Sequence, residues 1–153
     1  MKTLSILLCC FVSTAFYLKE PRPSQEGEII EVRFGTSFGK CSGYCIQEVA
    51  LTNNQVAKKL IPHRDKSLEV KTCNQDFSKF EKLVSLIDME AFDQLEVTIG
   101  CPDCADGGAE WIQIFTSEGY DKKVTYSYNK APSMSEPFID ILRGEYEKMK
   151  ECE

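Results

Sequence analysis

The stretch Gly35–Cys45, GTSFGKCSGYC, holds three glycines and two cysteines in eleven residues and separates two segments that read as strands. A second stretch of the same kind, Gly100–Gly108 (GCPDCADGG), lies further along the chain. Because glycine at this density disfavours regular helix and strand, both stretches are predicted to be loops. They are called here the first and second cysteine loops, and we expect them to lie beside each other.

The segments around these loops predict an antiparallel sheet. Residues 28–34, 45–52 and 124–128 alternate between apolar and polar side chains, as half-buried strands do. Residues 55–61 are predicted to be the hairpin partner of 45–52, 109–116 is a further predicted strand, and 68–73 is a short candidate. Asn53-Asn54 can supply the positive φ values of a tight hairpin turn. Strand 109–116 carries apolar side chains on both faces, which indicates a central position in the sheet.

Two helices are predicted. Ser78 and Glu81 have the spacing of a capping box, and the apolar residues that follow recur at helical spacing up to about Asp88. Met89–Leu95 predicts a short extra turn packed by Phe92, and a final helix is expected over 138–152. The predicted fold is therefore α+β: an antiparallel sheet of about five to six strands with two helices packed on one face, stabilised by disulfides. One domain, 28–153, is expected.

The N-terminus has the pattern of a secretory signal peptide. A positive charge at Lys2 precedes the apolar run Leu4–Val12, and small residues follow up to Ala15. We predict a signal peptide over 1–15 and a flexible leader over 16–27. The apolar run is shorter than the roughly 20 residues that a membrane span needs, and no later segment is apolar enough to anchor the chain. The expected product is a secreted, extracellular protein without a membrane span.

Cysteine usage agrees with export. Cys9 and Cys10 fall in the predicted signal peptide, which leaves six cysteines for the mature chain: Cys41, Cys45, Cys73, Cys101, Cys104 and Cys152. An even number of cysteines in an exported chain indicates disulfides, although the sequence leaves many pairings open. Cys73 precedes the first predicted helix and Cys152 ends the last. If those helices run antiparallel on the sheet, the two cysteines can form a bridge.

The net negative charge of the protein indicates which classes of partner it can attract. The formal net charge is −6, and no basic stripe offsets it. A protein of this charge repels phosphate backbones, so nucleic-acid binding is not expected. Attraction to divalent cations or to a mineral surface is compatible with the charge.

The catalytic motifs that the first loop suggests do not meet their structural requirements. Residues 35–39 match the G-x-S-x-G nucleophile elbow, but that motif needs a helix directly after the serine and an acid followed by a histidine later in the chain. The only histidine, His63, has no matching arrangement with Ser37. A phosphate-binding loop is also excluded, because the glycines are one position too close and Cys41 replaces the magnesium-binding hydroxyl. No catalytic residue and no cofactor are predicted.

The cysteines also allow two interpretations other than structural disulfides, and nearby carboxylates allow a third kind of site. Cys41, Cys45, Cys101 and Cys104 have spacings that could close a four-thiolate zinc site. Cys101 and Cys104 also have the C-x-x-C spacing of thiol-redox proteins, although a loop rather than a helix is expected to follow. Asp103, Asp106 and Glu110 could supply oxygens to calcium, but their spacing differs from the calcium-binding loop. Disulfides are the preferred interpretation.

The block FGTSFGKCSGYC (34–45) and the block from Ile99 to Trp111 resemble a family of small, uncharacterised domains found mainly in bacteria. The resemblance extends over about Ile29 to Tyr146 and implies a compact domain with no established catalytic residues. It also implies that Cys73 and Cys152 are additions to the family pattern, which supports their pairing with each other.

The predicted function is that of a secreted, non-enzymatic, acidic domain that acts by binding, as a component of an extracellular matrix or a biomineral. The alternative is a secreted thiol-redox or metal-dependent enzyme that uses Cys101 and Cys104.

Overall fold

The computed structural model describes residues 27–64 and 67–149. The predicted signal peptide, all of the predicted leader except Gly27, and Cys152 lie outside these residues. In the part of the chain that is described, no helix is long and apolar enough to cross a membrane.

The fold is α+β, as predicted, with a sheet of seven strands. The strands are β1 (Ile29–Ser37), β2 (Ile46–Leu51), β3 (Gln55–Ile61), β4 (Lys71–Asp76), β5 (Thr98–Ile99), β6 (Ala109–Thr116) and β7 (Asp121–Ser127). Their order across the sheet is β4-β3-β2-β1-β6-β7-β5, and all neighbours are antiparallel except β5 and β7. The described helices are α1 (Phe80–Ser85), α2 (Met89–Gln94) and α3 (Glu136–Lys148).

The predicted counts of five to six strands and two helices were therefore too low. The additional strand is β5, which is only two residues long and so shows no alternation that a sequence pattern could reveal. The additional helix is α2, predicted only as an extra turn. It is a separate helix because the Asp88 side chain accepts a hydrogen bond from the Ala91 amide at 2.9 Å and begins it anew. Phe92, at its centre, is fully buried as expected.

Two local predictions were wrong. The capping box at Ser78 does not form, because Lys79 occupies the N-cap of α1 and makes no side-chain capping bond. The hairpin between β2 and β3 does not place Asn53 or Asn54 at positive φ. That turn is instead closed by the Thr52 amide, which donates to the Gln55 carbonyl oxygen at 2.9 Å.

Strand register decides which side chains form the core. Val32 on β1 lies opposite Leu51 on β2 and Ile114 on β6, so the three share one face of the sheet. The main core cluster contains these residues together with buried side chains from all three helices, Phe80, Leu83, Phe92, Phe138, Ile139 and Leu142, and with Met149 directly after α3. Trp111 has the opposite parity and lies on the other face, next to Gly35.

Pairing of β1 with β6 brings the cysteine loops together. The two strands are antiparallel, and Ser37 at the end of β1 pairs with Ala109 at the start of β6. The chain that leaves β1 and the chain that enters β6 therefore lie side by side at one end of the sheet. The first three residues of the first cysteine loop belong to β1, and the rest of the loop connects β1 to β2. The second cysteine loop connects β5 to β6.

Candidate functional site

The two cysteine loops contact each other directly. The Gly39 amide donates to Asp103 Oδ1 at 3.2 Å, and Lys40 Nζ lies 2.5 Å from Asp106 Oδ2. The Phe38 ring packs edge-on against the Tyr128 ring, with 5.0 Å between centroids. The two loops and Tyr128 are called here the loop end of the sheet, and their predicted proximity is confirmed.

Each loop is closed by its own disulfide. Cys41 pairs with Cys45 at a Cα–Cα distance of 5.6 Å, and Cys101 pairs with Cys104 at 5.5 Å. Both distances lie in the ordinary range for disulfides. Cys73, on β4, is disulfide-bonded as well. Its predicted partner, Cys152, lies outside the described residues, so that pairing stays a prediction.

The candidate metal ligands are not arranged around a common point. The sulfur atoms of the proposed zinc site are held in two separate disulfides, and a thiolate site would require both to be reduced. Of the oxygen donors considered for calcium, Asp103 and Asp106 are exposed, whereas Glu110 is buried on the core face of β6. Within residues 27–64 and 67–149, no group of three or more His, Cys, Asp or Glu side chains could hold a metal ion.

The backbone of the second loop is unusual. Asp103, Ala105 and Asp106 have φ values of 60°, 53° and 61°, in the left-handed region that is unfavourable for residues with a Cβ. Each such residue costs about 1–3 kcal/mol and persists only where its surroundings enforce it. Here the Asp103 amide donates to the Gly108 carbonyl oxygen at 3.0 Å, and the Cys101–Cys104 disulfide closes the turn.

Gly108 connects this loop to the first one. Its φ is +79°, and a Cβ at this position would lie 2.4 Å from Cε1 of Phe38. The Phe38 ring therefore occupies the space that only a glycine leaves open. The Gly108 carbonyl oxygen also accepts from the Tyr128 amide at 3.3 Å, so the second loop, the first loop and β7 meet at this residue.

A small polar pocket of about 140 Å³ opens beside Tyr128. It is smaller than typical ligand sites, which measure about 300–1,000 Å³. At about 30 Å³ for each molecule, it has room for a few waters or one very small polar group. Its walls are formed by Phe34, Thr36, Glu110, Tyr128, Asn129, Arg143, Tyr146 and Glu147.

Buried polar groups on β1, β6 and α3 line this pocket. Glu110 is 2% exposed, and its Oε2 accepts from Arg143 Nη2 at 2.8 Å. The Tyr146 hydroxyl donates to Gln47 Oε1 at 3.0 Å, which leaves its oxygen to accept from Thr36 Oγ1 at 3.2 Å. Arg143 Nε is also buried and finds no acceptor in the part of the chain that is described.

Tyr126 places a neutral phenol next to this network. Its side chain is fully buried on the core face of β7, opposite Glu110. Burial raises the pKa of Tyr126 well above its usual value, and the charge of Glu110 raises it further. The phenol therefore stays protonated over the physiological range and cannot act as a base there.

Sequence reasoning did not find this pocket. Thr36, Arg143 and Tyr146 come from distant parts of the chain, and no motif links them. One signal was present: Glu110 has the same strand parity as Ile112 and Ile114, so a charged residue occurs at an inward-facing position. Such a residue needs a partner of opposite charge, which α3 supplies as the partly exposed Arg143.

The segment of the apparent nucleophile elbow does not have the strand–turn–helix structure that the motif requires. Ser37 is the last residue of β1 and is followed by the glycine-rich loop rather than by a helix. His63 is exposed beyond the end of β3, where its amide donates to the Gly43 carbonyl oxygen. Ser37 therefore ends β1, whereas His63 follows β3.

No protein-family model matches the chain, and no curated protein is significantly similar to it.

Proposed function

We propose that this chain is a secreted, non-enzymatic, disulfide-stabilised domain that binds an extracellular partner through the loop end of the sheet. The observation that supports this most strongly is the joining of two separately closed loops at one end of the sheet. Loops held in one shape by a rigid scaffold are where proteins commonly place binding residues, because little conformational entropy is lost when a partner binds.

The composition of the loop end suits such a role. Tyr128 is 38% exposed although its ring packs on Phe38, so it offers a rigid aromatic surface. Lys40, whose side chain is 75% exposed, and the two loop aspartates add charge of both signs around it. The proposal takes the helices to lie together on the face of the sheet opposite Trp111, as the sequence predicts, which leaves this end open.

The partner is proposed to be a matrix component or a mineral. Export supports an extracellular setting, and the cysteine pairs Cys41–Cys45 and Cys101–Cys104 are compatible with one. The net charge of −6 favours a partner that presents cations, such as a calcium mineral or a basic matrix protein.

A binding assay with matched variants tests the proposal. The secreted protein is titrated against decellularised matrix and against calcium carbonate and calcium phosphate particles. We expect saturable binding to at least one of them, weakened about tenfold or more by Asp106→Asn combined with Tyr128→Ala, because these changes remove one exposed carboxylate and the aromatic ring from the loop end. Glu118→Ala, in the turn at the opposite end of β6, is the control and should bind like the wild type. Equal binding by all variants, or none by the wild type, contradicts the proposal.

The second candidate is a thiol-redox or metal-dependent enzyme that uses Cys101 and Cys104. Its redox form is favoured by one observation, the exposure of both cysteines. Insulin reduction with dithiothreitol separates the candidates. A binding domain should not accelerate the reaction at substoichiometric concentration, whereas a redox enzyme should. Metal analysis of the purified protein tests the metal-dependent form.

A further inference from the structure

The two short disulfides differ in their access to solvent. Cys101 and Cys104 are both exposed, whereas Cys45 is 2% exposed and Cys41 is partly buried. Thiol–disulfide exchange begins when a thiolate approaches a sulfur atom along the S–S axis, so a buried sulfur reacts slowly in the folded state. An external thiol can therefore reach the second loop much more readily than the first.

The two disulfides also differ in the backbone that they close. Between Cys101 and Cys104, Asp103 is at positive φ, and Ala105 and Asp106, which directly follow Cys104, are at positive φ as well. In the first loop, by contrast, the only residue at positive φ between its cysteines is Gly43, which tolerates that conformation. Opening the second disulfide releases backbone strain, and opening the first does not. Strained and exposed disulfides are the ones most easily reduced.

We propose that Cys101–Cys104 is a site of reversible thiol–disulfide exchange with an external dithiol, while Cys41–Cys45 stays oxidised. A thiolate of the dithiol attacks Cys101 or Cys104 Sγ, which breaks the S–S bond and gives a mixed disulfide and one free protein thiolate. The second thiol of the reagent then displaces the other cysteine. The dithiol loses two electrons and two protons and becomes a disulfide, and the protein gains both as two thiols.

Reduction would also loosen the second loop from the first. Asp103 and Asp106 hold positive φ while their side chains contact Gly39 and Lys40. Once the turn is open, relaxation of these residues to negative φ moves both carboxylates. The exchange itself needs no binding partner, so its test is separate from the test of the proposed function.

The first experiment is an equilibrium reduction of the folded protein. It is incubated at graded ratios of reduced to oxidised dithiothreitol, quenched with acid, alkylated and mapped by mass spectrometry. Trp111, the only tryptophan, reports by fluorescence that the fold persists. We expect Cys101–Cys104 to be half reduced at a ratio at least tenfold lower than Cys41–Cys45, before the Trp111 signal changes. Reduction of Cys41–Cys45 first, or of both only on unfolding, overturns the proposal.

The second experiment tests the contribution of backbone strain. Ala105→Gly removes the Cβ at a positive-φ position, which should stabilise the oxidised turn and lower the equilibrium constant for its reduction about fivefold. Ala131→Gly is the matched control, because Ala131 is not at positive φ and lies in another loop. It should leave that constant unchanged. An Ala105→Gly constant equal to or above the wild-type value contradicts the assigned role of strain.

Discussion

Gly35 shows how a single residue shapes the face of the sheet that carries Trp111. Trp111 packs directly on its backbone, and a Cβ on Gly35 would lie 2.2 Å from Cζ2 of the indole. The indole Nε1 donates to Glu48 Oε2 at 3.3 Å, and Lys123 Nζ lies 3.9 Å from the ring centroid. Burial lowers the pKa of Lys123, which agrees with its close packing over the ring. Trp111 is 5% exposed in this setting.

Substitution at this position should be costly. Gly35→Ala is expected to lower the free energy of unfolding by about 3 kcal/mol, because neither the β1 backbone nor the rigid indole can yield easily. Gly144→Ala is the control: it lies within α3, where an added Cβ meets no atom within 4 Å, and should raise stability by about 0.5–1 kcal/mol. Urea titration followed by Trp111 fluorescence measures both. A Gly35→Ala protein as stable as the wild type would show that the indole does not rest on Gly35.

At the residue scale, the sequence predicts which face of a strand a side chain lies on, but not which residue of the neighbouring strand it packs against. Alternation correctly gave β6 apolar residues on both faces, and its central position between β1 and β7 is confirmed. The glycine at 35 was read only as part of a loop motif. Its role depends on which residue of β6 lies opposite, and that register is set by long-range pairing that a local pattern does not contain.

At the scale of elements, an ion pair connects α3 to the sheet. Glu110 on β6 is almost fully buried, while the Arg143 side chain on α3 is 33% exposed. Removing the charge of Arg143 and removing that of Glu110 should therefore lower the free energy of unfolding by different amounts. Loss of the arginine leaves a carboxylate buried without its counter-charge, whereas loss of the carboxylate's charge leaves a guanidinium that can still reach water.

A double-mutant cycle tests this asymmetry. Arg143→Ala should lower the free energy of unfolding by about 2–3 kcal/mol, and Glu110→Gln by about 1 kcal/mol. The double variant should be more stable than Arg143→Ala alone, since the neutral amide is cheaper to leave buried. Urea titrations at neutral pH supply the four values. Strictly additive losses would mean that the two side chains do not interact.

Element predictions succeeded where the periodic pattern was long. The bounds predicted for β3 and β6 agree with the structure because apolar residues recur through each strand, and Pro62 and the turn around Gly119 mark where the strands end. The start of α1 was misread because serine and glutamate at capping-box spacing also occur where the helix begins one residue later. The extent of α2 depends on the Asp88 cap and on Phe92 in the core, which is a tertiary contact.

At the scale of the whole molecule, the sheet order brings the two cysteine loops to one end. Their proximity was predictable from their similar composition and flanking strands. Their internal pairing was not, because sequence spacing allows cross-loop disulfides and a shared zinc site equally well. The polar pocket next to them could not be predicted from the sequence either, because its residues come from β1, β6, the end of β7 and α3.

A non-reducing peptide map of the secreted protein tests the central claim most directly, namely that each cysteine loop is closed on itself. The account predicts one peptide pair joined through Cys41 and Cys45, a second joined through Cys101 and Cys104, and a Cys73–Cys152 link. Alkylation before digestion should find no free thiol at the four loop cysteines, and metal analysis should find no stoichiometric zinc. A link between Cys41 or Cys45 and either cysteine of the second loop, or four free thiols with bound zinc, would contradict the account.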